Sequence, residues 1–366
     1  MKAWRIYGVS DLKLDEIDYP KLKPSEVIVR VRTIQLSVTE IASLMGLYES
    51  LNGFSFYRPL ERLLEGGGPI EYLGHEFCGE VAEVGKDVVG FKVGERVVAV
   101  PSIPCLECKP CSKGDPQYCV SRIKFVPPGA LREYLALSPR FLVKVPDSIS
   151  DGEAAFVNPL HAAVGCVIDA TPSIIDTAVV LGCGMVGLSV VQLLSRNVNT
   201  TIATDVDKNK LELAKKMGAD IAINSSTFDP VPTILKELNG EGADLVFDCA
   251  GGSPKVGLSG GETLNQAVKI VRKFGKIVQV AIISGSIPFS PMALYQKGIK
   301  YVFPQSSPRD YVKIYEYAIK TLTAGRVDVK SMITHQLRGI EKIPEAIEIS
   351  MNKKKYQAIT AQVAFV

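Results

Sequence analysis

The stretch that decides the fold reads Ala178-Val179-Val180-Leu181-Gly182-Cys183-Gly184-Met185-Val186-Gly187. An apolar, β-branched run leads directly into a Gly-x-Gly-x-x-Gly turn, and an apolar run of helical character follows it at 188–194. A second apolar run, at 201–204, then ends on Asp205. This order of strand, glycine turn, helix, strand and acid is the one that a dinucleotide-binding site requires. The stretch therefore predicts a parallel α/β sheet that binds a dinucleotide.

Each glycine of the turn has a separate expected role. Gly182 would permit the tight turn, Gly184 would let the backbone approach a pyrophosphate, and Gly187 would let the helix pack closely on the strand. The new helix begins at Met185 and Val186, and it would offer unpaired N–H groups and the positive end of its dipole to the phosphates. These five residues are our candidate phosphate-binding set.

The acid after the second strand indicates which dinucleotide binds. The carboxylate of Asp205 can accept hydrogen bonds from the adenosine ribose hydroxyls, and it would repel the 2′-phosphate of NADP. Val206 and Asp207 supply no arginine for such a phosphate, and Lys208 is the nearest cation. The sequence therefore favours NAD over NADP.

Length and charge exclude several classes of protein. The chain has 366 residues, enough for two or three domains, and its net charge of +3 gives no electrostatic case for binding nucleic acid or a membrane. No signal-peptide pattern opens the chain, and no apolar run approaches the length of a membrane span. Of the eight cysteines, those outside one cluster lie among apolar neighbours, as reduced core thiols do. We expect a cytoplasmic protein.

The pattern changes along the chain in a way that predicts separate domains. Residues 1–150 alternate like half-buried strands with glycine and proline between them, which predicts a rolled β domain. From 151 to 300, strands and helices alternate, including a helix predicted at 262–273. That alternation predicts a doubly wound parallel sheet. Residues 301–366 would finish this sheet and return to the first domain. An exposed loop at 47–72 carries an aromatic and basic tip with Phe54, Phe56, Tyr57 and Arg58.

Four cysteines form the most specific signal of the β-rich half. They are spaced as Cys105-x-x-Cys108-x-x-Cys111, followed by Cys119. Four thiolates from one short lobe can close a tetrahedron around zinc and leave no position for a substrate. The spacing therefore predicts a structural zinc site. Disulfides or an iron–sulfur cluster are the alternatives.

Further motifs extend the pattern over essentially the whole chain. The β-rich half contains Gly74-His75-Glu76-Phe77-Cys78-Gly79-Glu80-Val81 and Val93-Gly94-Glu95-Arg96-Val97, and Ile333-Thr334-His335 lies near the end. Together with the cysteine lobe and the glycine turn, they make the chain resemble the zinc-type medium-chain dehydrogenase/reductases, which include alcohol, polyol and threonine dehydrogenases. The resemblance implies a GroES-like catalytic domain, a Rossmann domain that binds NAD, hydride transfer to or from a small-molecule substrate, and a homodimer or homotetramer.

The resemblance also implies a catalytic zinc, but two of its three ligand positions have changed. Ser37 stands where the family has a cysteine, and Asn158 stands where it has a cysteine or a carboxylate. His75 is retained, and Glu76 after it is the acid that ligates zinc in some members. The histidine that relays protons is replaced by Ala42. Serine and asparagine are neutral and bind zinc more weakly than anionic ligands do. His75 and Glu76 are therefore the candidate ligands of a second zinc ion. Whether this second ion binds stays open.

Three other side chains have both functional and structural interpretations. His161 lies three residues after Asn158 and would share its helix face. It could be a replacement zinc ligand, a general acid/base, or a core histidine bonded to a backbone carbonyl. Thr39 stands where the family places a hydroxyl between the substrate oxygen and the cofactor ribose, or it is structural. Glu76 could instead hold an arginine. The candidate catalytic set is Ser37, Thr39, His75, Glu76, Asn158 and His161.

These residues favour one function over two alternatives. The favoured function is that of an NAD-dependent oxidoreductase, which transfers a hydride between an alcohol or polyol, or its carbonyl product, and nicotinamide. The first alternative is a zinc-independent reductase of an activated C=C or C=N bond, because Asn158-Pro159 and the missing ligand cysteine occur in such members of the superfamily. The second alternative is a non-catalytic protein that senses NAD.

Overall fold

The computed structural model describes residues 1–45, 68–71, 73–114, 119, 123–124, 129–251, 261–283, 288, 290–303 and 311–365. The chain divides into two compact units. The first unit contains Met1–Asn158, Pro308–Ala324 and Val329–Val366, and the second contains Pro159–Ser307 and Gly325–Asp328. Each unit is described by itself below.

Strands and helices are numbered here in chain order. The strands are β1 (Lys2–Gly8), β2 (Asp11–Glu16), β3 (Val27–Gln35), β4 (Glu76–Val84), β5 (Arg96–Ala99), β6 (Ser102–Ile103), β7 (Ile123–Lys124), β8 (Tyr134–Leu137), β9 (Leu142–Lys144), β10 (Thr177–Leu181), β11 (Thr200–Asp205), β12 (Ile221–Asn224), β13 (Ala243–Asp248), β14 (Val271–Gln279), β15 (Lys300–Val302), β16 (Ile333–Arg338) and β17 (Thr360–Ala364). The α-helices are α1 (Val38–Leu44), α2 (Lys109–Ser112), α3 (Asp151–Ala155), α4 (Val157–Ala170), α5 (Met185–Leu194), α6 (Lys208–Lys216), α7 (Pro230–Glu237), α8 (Glu262–Ile270), α9 (Pro291–Lys297), α10 (Tyr311–Thr323), α11 (Ile343–Met351) and α12 (Lys353–Tyr356).

The first unit is built on a seven-stranded sheet. Its order is β16-β17-β3-β4-β5-β9, and β8 also pairs with β3. The long strand β3 lies inside this sheet because most of its β-branched residues are buried. Its register places Gln362 of β17 opposite Gln35, and Gln35 opposite Glu76 of β4. Directly opposite residues share a face, so three polar side chains stand in a row across three strands.

A short helix is tied to this sheet by charge. Helix α3 begins with a capping box. The backbone N–H of Glu153 donates to the side chain of Ser150, and the side chain of Glu153 accepts the backbone N–H of Ser150. Next to it, Asp151 accepts hydrogen bonds from Nε of Arg32 (2.7 Å) and from a terminal nitrogen of Arg96 (2.9 Å). One carboxylate therefore joins α3 to β3 and β5.

The second unit contains the doubly wound sheet that the sequence predicts. Its six parallel strands lie in the order β12-β11-β10-β13-β14-β15. The order reverses between β10 and β13, and such a switch point is where open α/β sheets bind ligands. The core of this unit is aliphatic and includes the fully buried Val179, Leu181, Ile202 and Val246. Burying each such side chain contributes about 1.5–3 kcal/mol.

The structure differs from the sequence predictions in detail. The helix predicted at 262–273 ends at Ile270, and β14 already begins at Val271. A register shift between β13 and β14 falls in this stretch, and Phe274 there has a positive φ of 58°, a local irregularity that hydrophobic periodicity does not reveal. Of the loop predicted at 47–72, residues 68–71 alone are described, so Phe54, Phe56, Tyr57 and Arg58 lie outside the described residues.

Where the chain is described, no helix is both long enough and apolar enough to cross a membrane.

Candidate functional site

The glycine turn has the geometry that its sequence predicts. Gly182 has φ +96°, and a side-chain carbon there would lie 2.6 Å from Cβ of Ala250. A side-chain carbon on Gly187 would overlap the carbonyl oxygen of Gly182. At Gly184, by contrast, it would meet nothing within 4 Å. Two glycines are thus required by the protein itself, whereas the third leaves open space at the start of α5, where a pyrophosphate could approach the backbone.

Asp205 closes this turn from the end of β11. One carboxylate oxygen accepts the N–H of Cys183 (2.7 Å), and the other accepts the N–H of Asp207 (2.9 Å). The bond to Cys183 fixes the acid against the glycine turn, and the side chain remains half-buried. Open space at Gly184 and a fixed, accessible carboxylate together fit a dinucleotide, so Gly182, Gly184, Met185, Val186, Gly187 and Asp205 are the residues that would hold one.

The four cysteines lie together as the zinc prediction requires. Sulfur–sulfur distances are 3.4 Å for Cys108–Cys111, 3.4 Å for Cys105–Cys119 and 3.8 Å for Cys108–Cys119. A tetrahedron with zinc–sulfur bonds of about 2.3 Å has edges of about 3.8 Å, whereas a disulfide would be about 2.0 Å long. The backbone N–H of Cys108 also donates to the sulfur of Cys105 (3.4 Å), which favours a thiolate. These separations fit a zinc site and are longer than a disulfide bond.

A second polar cluster surrounds His75 in the first unit. Nδ1 of His75 donates to Oε1 of Glu40 (2.7 Å), and Nε2 lies 3.9 Å from Oε1 of Glu76. The same oxygen of Glu40 accepts the backbone N–H of Gly74 (2.8 Å) and of His75 (3.3 Å). The imidazole is a quarter exposed, whereas both carboxylates are buried. Glu40 therefore fixes both the ring and the backbone that carries it.

Charge and burial shift the pKa values of this cluster in different directions. Burial lowers the pKa of His75, but the charge and hydrogen bond of Glu40 and the charge of Glu76 outweigh it and raise the pKa to about 9. Burial would raise the pKa of Glu40, but the charge and hydrogen bond of His75 lower it. Burial raises the pKa of Glu76 to about 7, against the charge of His75 and the hydrogen bond from Gln35. An imidazolium paired with the Glu40 carboxylate is the state that these effects favour near neutral pH.

Glu76 begins a chain of hydrogen bonds across the sheet. Its Oε2 accepts Nε2 of Gln35 (2.6 Å), and Oε1 of Gln35 accepts Nε2 of Gln362 (3.0 Å). Nε2 of Gln362 also donates to the carbonyl oxygen of Gly152 (2.8 Å). Among the described residues, the side-chain contacts of Glu76 are therefore to Gln35 and His75, and the alternative of an acid that holds an arginine gains no support.

The remaining candidates have defined places in the fold. Ser37 directly precedes α1, and its Oγ accepts the N–H of Glu40 (3.1 Å), as a helix N-cap does. Thr39 lies half-buried on α1. Asn158 stands near the start of α4 and donates Nδ2–H to the hydroxyl of Tyr315 (2.7 Å). His161 is buried further along α4 and belongs to the second unit.

Comparison with known proteins places these features in a family. Residues 23–147 match the family model for the alcohol dehydrogenase GroES-like domain, and residues 185–303 match that for zinc-binding dehydrogenases. An uncharacterised zinc-type alcohol dehydrogenase-like protein of Escherichia coli is 30% identical over 94% of this chain and 93% of its own length. This chain belongs to the zinc-type medium-chain dehydrogenase/reductase family. The predictions of family, fold class and oxidoreductase activity are thereby confirmed.

Two further relatives are named as polyol dehydrogenases, and a solved structure shares the fold. Sorbitol dehydrogenase of Bacillus subtilis is 29% identical, with 97% of this chain and 94% of the relative covered. Erythritol/L-threitol dehydrogenase of Mycolicibacterium smegmatis is 28% identical, with 96% and 97% covered. The crystal structure of an alcohol dehydrogenase from Thermus sp. ATN1 superposes with a TM-score of 0.80 at 24% identity, covering 100% of this chain and 99% of the other.

The two zinc sites that the dehydrogenase family implies differ in fit. The four cysteines of the lobe fit a structural zinc. The donors around His75 do not fit a catalytic one: Ser37 and Asn158 are neutral, and each already makes a hydrogen bond within the protein. We looked among the described residues for three or more His, Cys, Asp or Glu side chains whose ligand atoms lie within 4.8 Å of one another. The four cysteines form such a group, and His75 belongs to none.

Some residues of this dehydrogenase site were not found from the sequence. Glu40 is not among the candidates that the sequence predicts, although it is the partner of His75. Gln35 and Gln362 were not considered at all, and they are 327 positions apart. Tyr315, which contacts Asn158, was also missed. For Glu40, an acid three residues after the position of the missing ligand was a usable signal, whereas the others depend on strand and helix pairing.

Proposed function

We propose that this protein is an NAD-dependent polyol dehydrogenase, which oxidises one hydroxyl of a small polyol to a carbonyl group and catalyses the reverse reduction. The single observation that carries the proposal is the glycine turn closed by the Asp205 carboxylate, since it provides both a phosphate site and an acceptor for ribose hydroxyls. The family membership supplies the reaction class, and relatives named for sorbitol and for erythritol or threitol point to a polyol.

The reaction removes two hydrogens from one carbon–oxygen unit. The carbon gives up a hydride, the hydroxyl oxygen gives up a proton, and a C=O double bond forms. NAD supplies the hydride acceptor when it is bound. The protein must therefore hold the hydroxyl in place, stabilise the negative charge that develops on its oxygen, and receive its proton.

Residues of the first unit are suited to those tasks. Nδ1 of His75 is engaged by Glu40, so the ring is fixed while Nε2 faces a partly exposed position and can donate a hydrogen bond to the substrate oxygen. The oxygen of Ser37 already accepts a backbone N–H, which leaves its own hydrogen for the same purpose. Thr39 and Asn158 complete the proposed catalytic set of this unit, with Thr39 as the outlet for the proton.

An oligomer belongs to the same proposal. Strand β15 is an edge of the six-stranded sheet, and Met292, Tyr295 and Phe303 near it are exposed. Open edges and apolar surface invite pairing with another copy. We therefore expect a homodimer or homotetramer, which light scattering on the purified protein would detect.

The direct test of the proposed function is cofactor reduction with a panel of polyols. Absorbance at 340 nm would follow NAD and NADP with C4 to C6 polyols and with simple alcohols. Turnover with a polyol and NAD supports the proposal. Activity only with reduced cofactor and enones, or with no hydroxyl compound at all, contradicts it.

A substitution of Asp205 tests the choice between NAD and NADP. In Asp205→Ala, we expect kcat/KM with NAD to fall about 10-fold or more, as the loss of a hydrogen bond to a charged group costs about 1.5–3 kcal/mol, and activity with NADP to rise. Asp229→Asn is the matched control, because Asp229 likewise accepts a backbone N–H at a helix start (Val231, 3.0 Å) and asparagine is an equally good cap. An unchanged NAD/NADP ratio in Asp205→Ala would contradict the assignment.

A further inference from the structure

The first step concerns the charge of the donors around the retained histidine. Zinc in proteins is held by thiolates, imidazoles and carboxylates, and anionic ligands offset its double positive charge. Ser37 and Asn158 stand at the two positions where the family resemblance implies anionic ligands. Both side chains are neutral. A zinc ion at this place would have to rely on His75 and Glu76.

The second step is that both side chains already make contacts that shape the protein. Oγ of Ser37 caps helix α1 through the N–H of Glu40 (3.1 Å). The amide of Asn158 donates to Tyr315 (2.7 Å), whose side chain is buried. Ser37 thus has a structural role that explains a serine here without any metal.

The third step concerns Glu76, which the sheet holds from behind. Its Oε2 is bonded to the amide of Gln35, and this amide is itself bonded to Gln362, which is anchored on the carbonyl of Gly152. Gln35 and Gln362 are almost fully buried. The carboxylate is thus held 3.9 Å from Nε2 of His75, beyond hydrogen-bond distance, which leaves the Nε2–H of the ring for another acceptor.

From these contacts we infer that the chain binds one zinc ion, in the cysteine lobe, and that its substrate pocket works without a metal, with the hydroxyl of Ser37 and Nε2–H of His75 as the hydrogen-bond donors to the substrate oxygen. The inference rests on the proposed function for the identity of that oxygen. The metal count itself does not depend on the substrate.

The test is a metal count on the full-length protein, produced with added zinc and dialysed against metal-free buffer. We expect one zinc per chain in the wild type and one in His75→Ala. Ser37→Cys/Asn158→Glu restores the two anionic ligands, and we expect a second zinc in this variant. Ser37→Ala/Asn158→Ala is the matched control and should stay at one.

Several results would overturn the inference. Two zinc ions per chain in the wild type would do so directly, and a fall to one in His75→Ala would locate the second ion. A double variant Ser37→Cys/Asn158→Glu that is folded by circular dichroism but still binds one zinc would contradict the charge argument. Failure of the proposed function is distinguishable, because it would appear as no turnover with any hydroxyl substrate, whatever the zinc count.

Discussion

At the scale of single residues, Glu40 determines how His75 behaves. It accepts three hydrogen bonds with one oxygen, from the ring of His75 and from the backbone N–H groups of Gly74 and His75. A carboxylate that holds the far nitrogen of an imidazole fixes the ring and favours its charged form. The other ring nitrogen, Nε2, is then a hydrogen-bond donor with a fixed direction. The chemistry of the site therefore depends on a side chain that the substrate need not contact.

This dependence can be measured on the histidine itself. In Glu40→Gln, we expect the pKa of His75 to fall from about 9 toward its ordinary value of 6.5, because the stabilising negative charge is lost while burial still disfavours the imidazolium. The chain has three histidines, so NMR titration of the ring carbons can follow each one. Glu345→Gln, which removes an exposed partner of Lys342, is the control. A pKa of His75 that does not move would refute the pairing.

At the scale of elements, the glycine turn combines two kinds of requirement. Gly182 and Gly187 are demanded by the packing of β10, α5 and β13. Gly184 has an ordinary φ of −77°, and nothing in the described protein lies near its missing side chain. The same motif therefore contains glycines for folding and one that only a ligand requires.

A pair of variants separates these roles. Gly187→Ala should destabilise the protein by about 1–3 kcal/mol or more through overpacking and lower its melting temperature. Gly184→Ala should melt like the wild type but bind NAD about 10-fold more weakly or worse, a loss of about 1.4 kcal/mol. Thermal melts and calorimetric titration with NAD would test both. Equal melting losses in the two variants would contradict the distinction.

Many features of the helices, strands and turns could be predicted from the local sequence. The features that could not be predicted depend on contacts between distant parts of the chain or on local irregularities. The glycine turn, its acid and the cysteine lobe were predictable because their residues lie close together in the chain and their spacing reflects local geometry. The end of α8 at Ile270 was not, because it depends on the pairing of β14 with β13, whose register shifts there, and on the positive φ of Phe274. The Gln35–Gln362 contact required the register between β3 and β17.

At the scale of the whole molecule, the first unit is assembled from both ends of the chain. Helix α3 follows strands β1 to β9 in the chain, and Asp151 joins it to two of them by bonding Arg32 of β3 and Arg96 of β5. Burial would raise the pKa of Asp151, but these hydrogen bonds outweigh it and lower the pKa below its ordinary value of 3.8. A lowered pKa in the folded state means that the carboxylate stabilises the protein above that ordinary value and ceases to do so as the pH falls further.

The contribution of Asp151 can be separated by pH. Asp151→Asn should lower the free energy of unfolding by about 2 kcal/mol near neutral pH. This loss lies between the values typical of exposed and of buried ion pairs, because the side chain of Asp151 is a fifth exposed. This corresponds to roughly 4–8 °C in melting temperature. Below about pH 3.8, the difference between variant and wild type should shrink. Asp147→Asn, whose carboxylate is fully exposed, is the control. A difference that persists unchanged to pH 3 would rule out the ion pairs as its cause.

The last strand also affects the order in which the protein matures. Gln362, which supports Glu76 through Gln35, lies on β17, and this strand follows the parallel sheet of the second unit in the chain. Domains can fold during synthesis once their residues have left the ribosome, so the nucleotide-binding unit has most of its chain available early. The β-rich unit has to wait for the final strand. A nascent chain would therefore acquire its glycine turn before the strand that supports Glu76 through Gln35 joins the sheet.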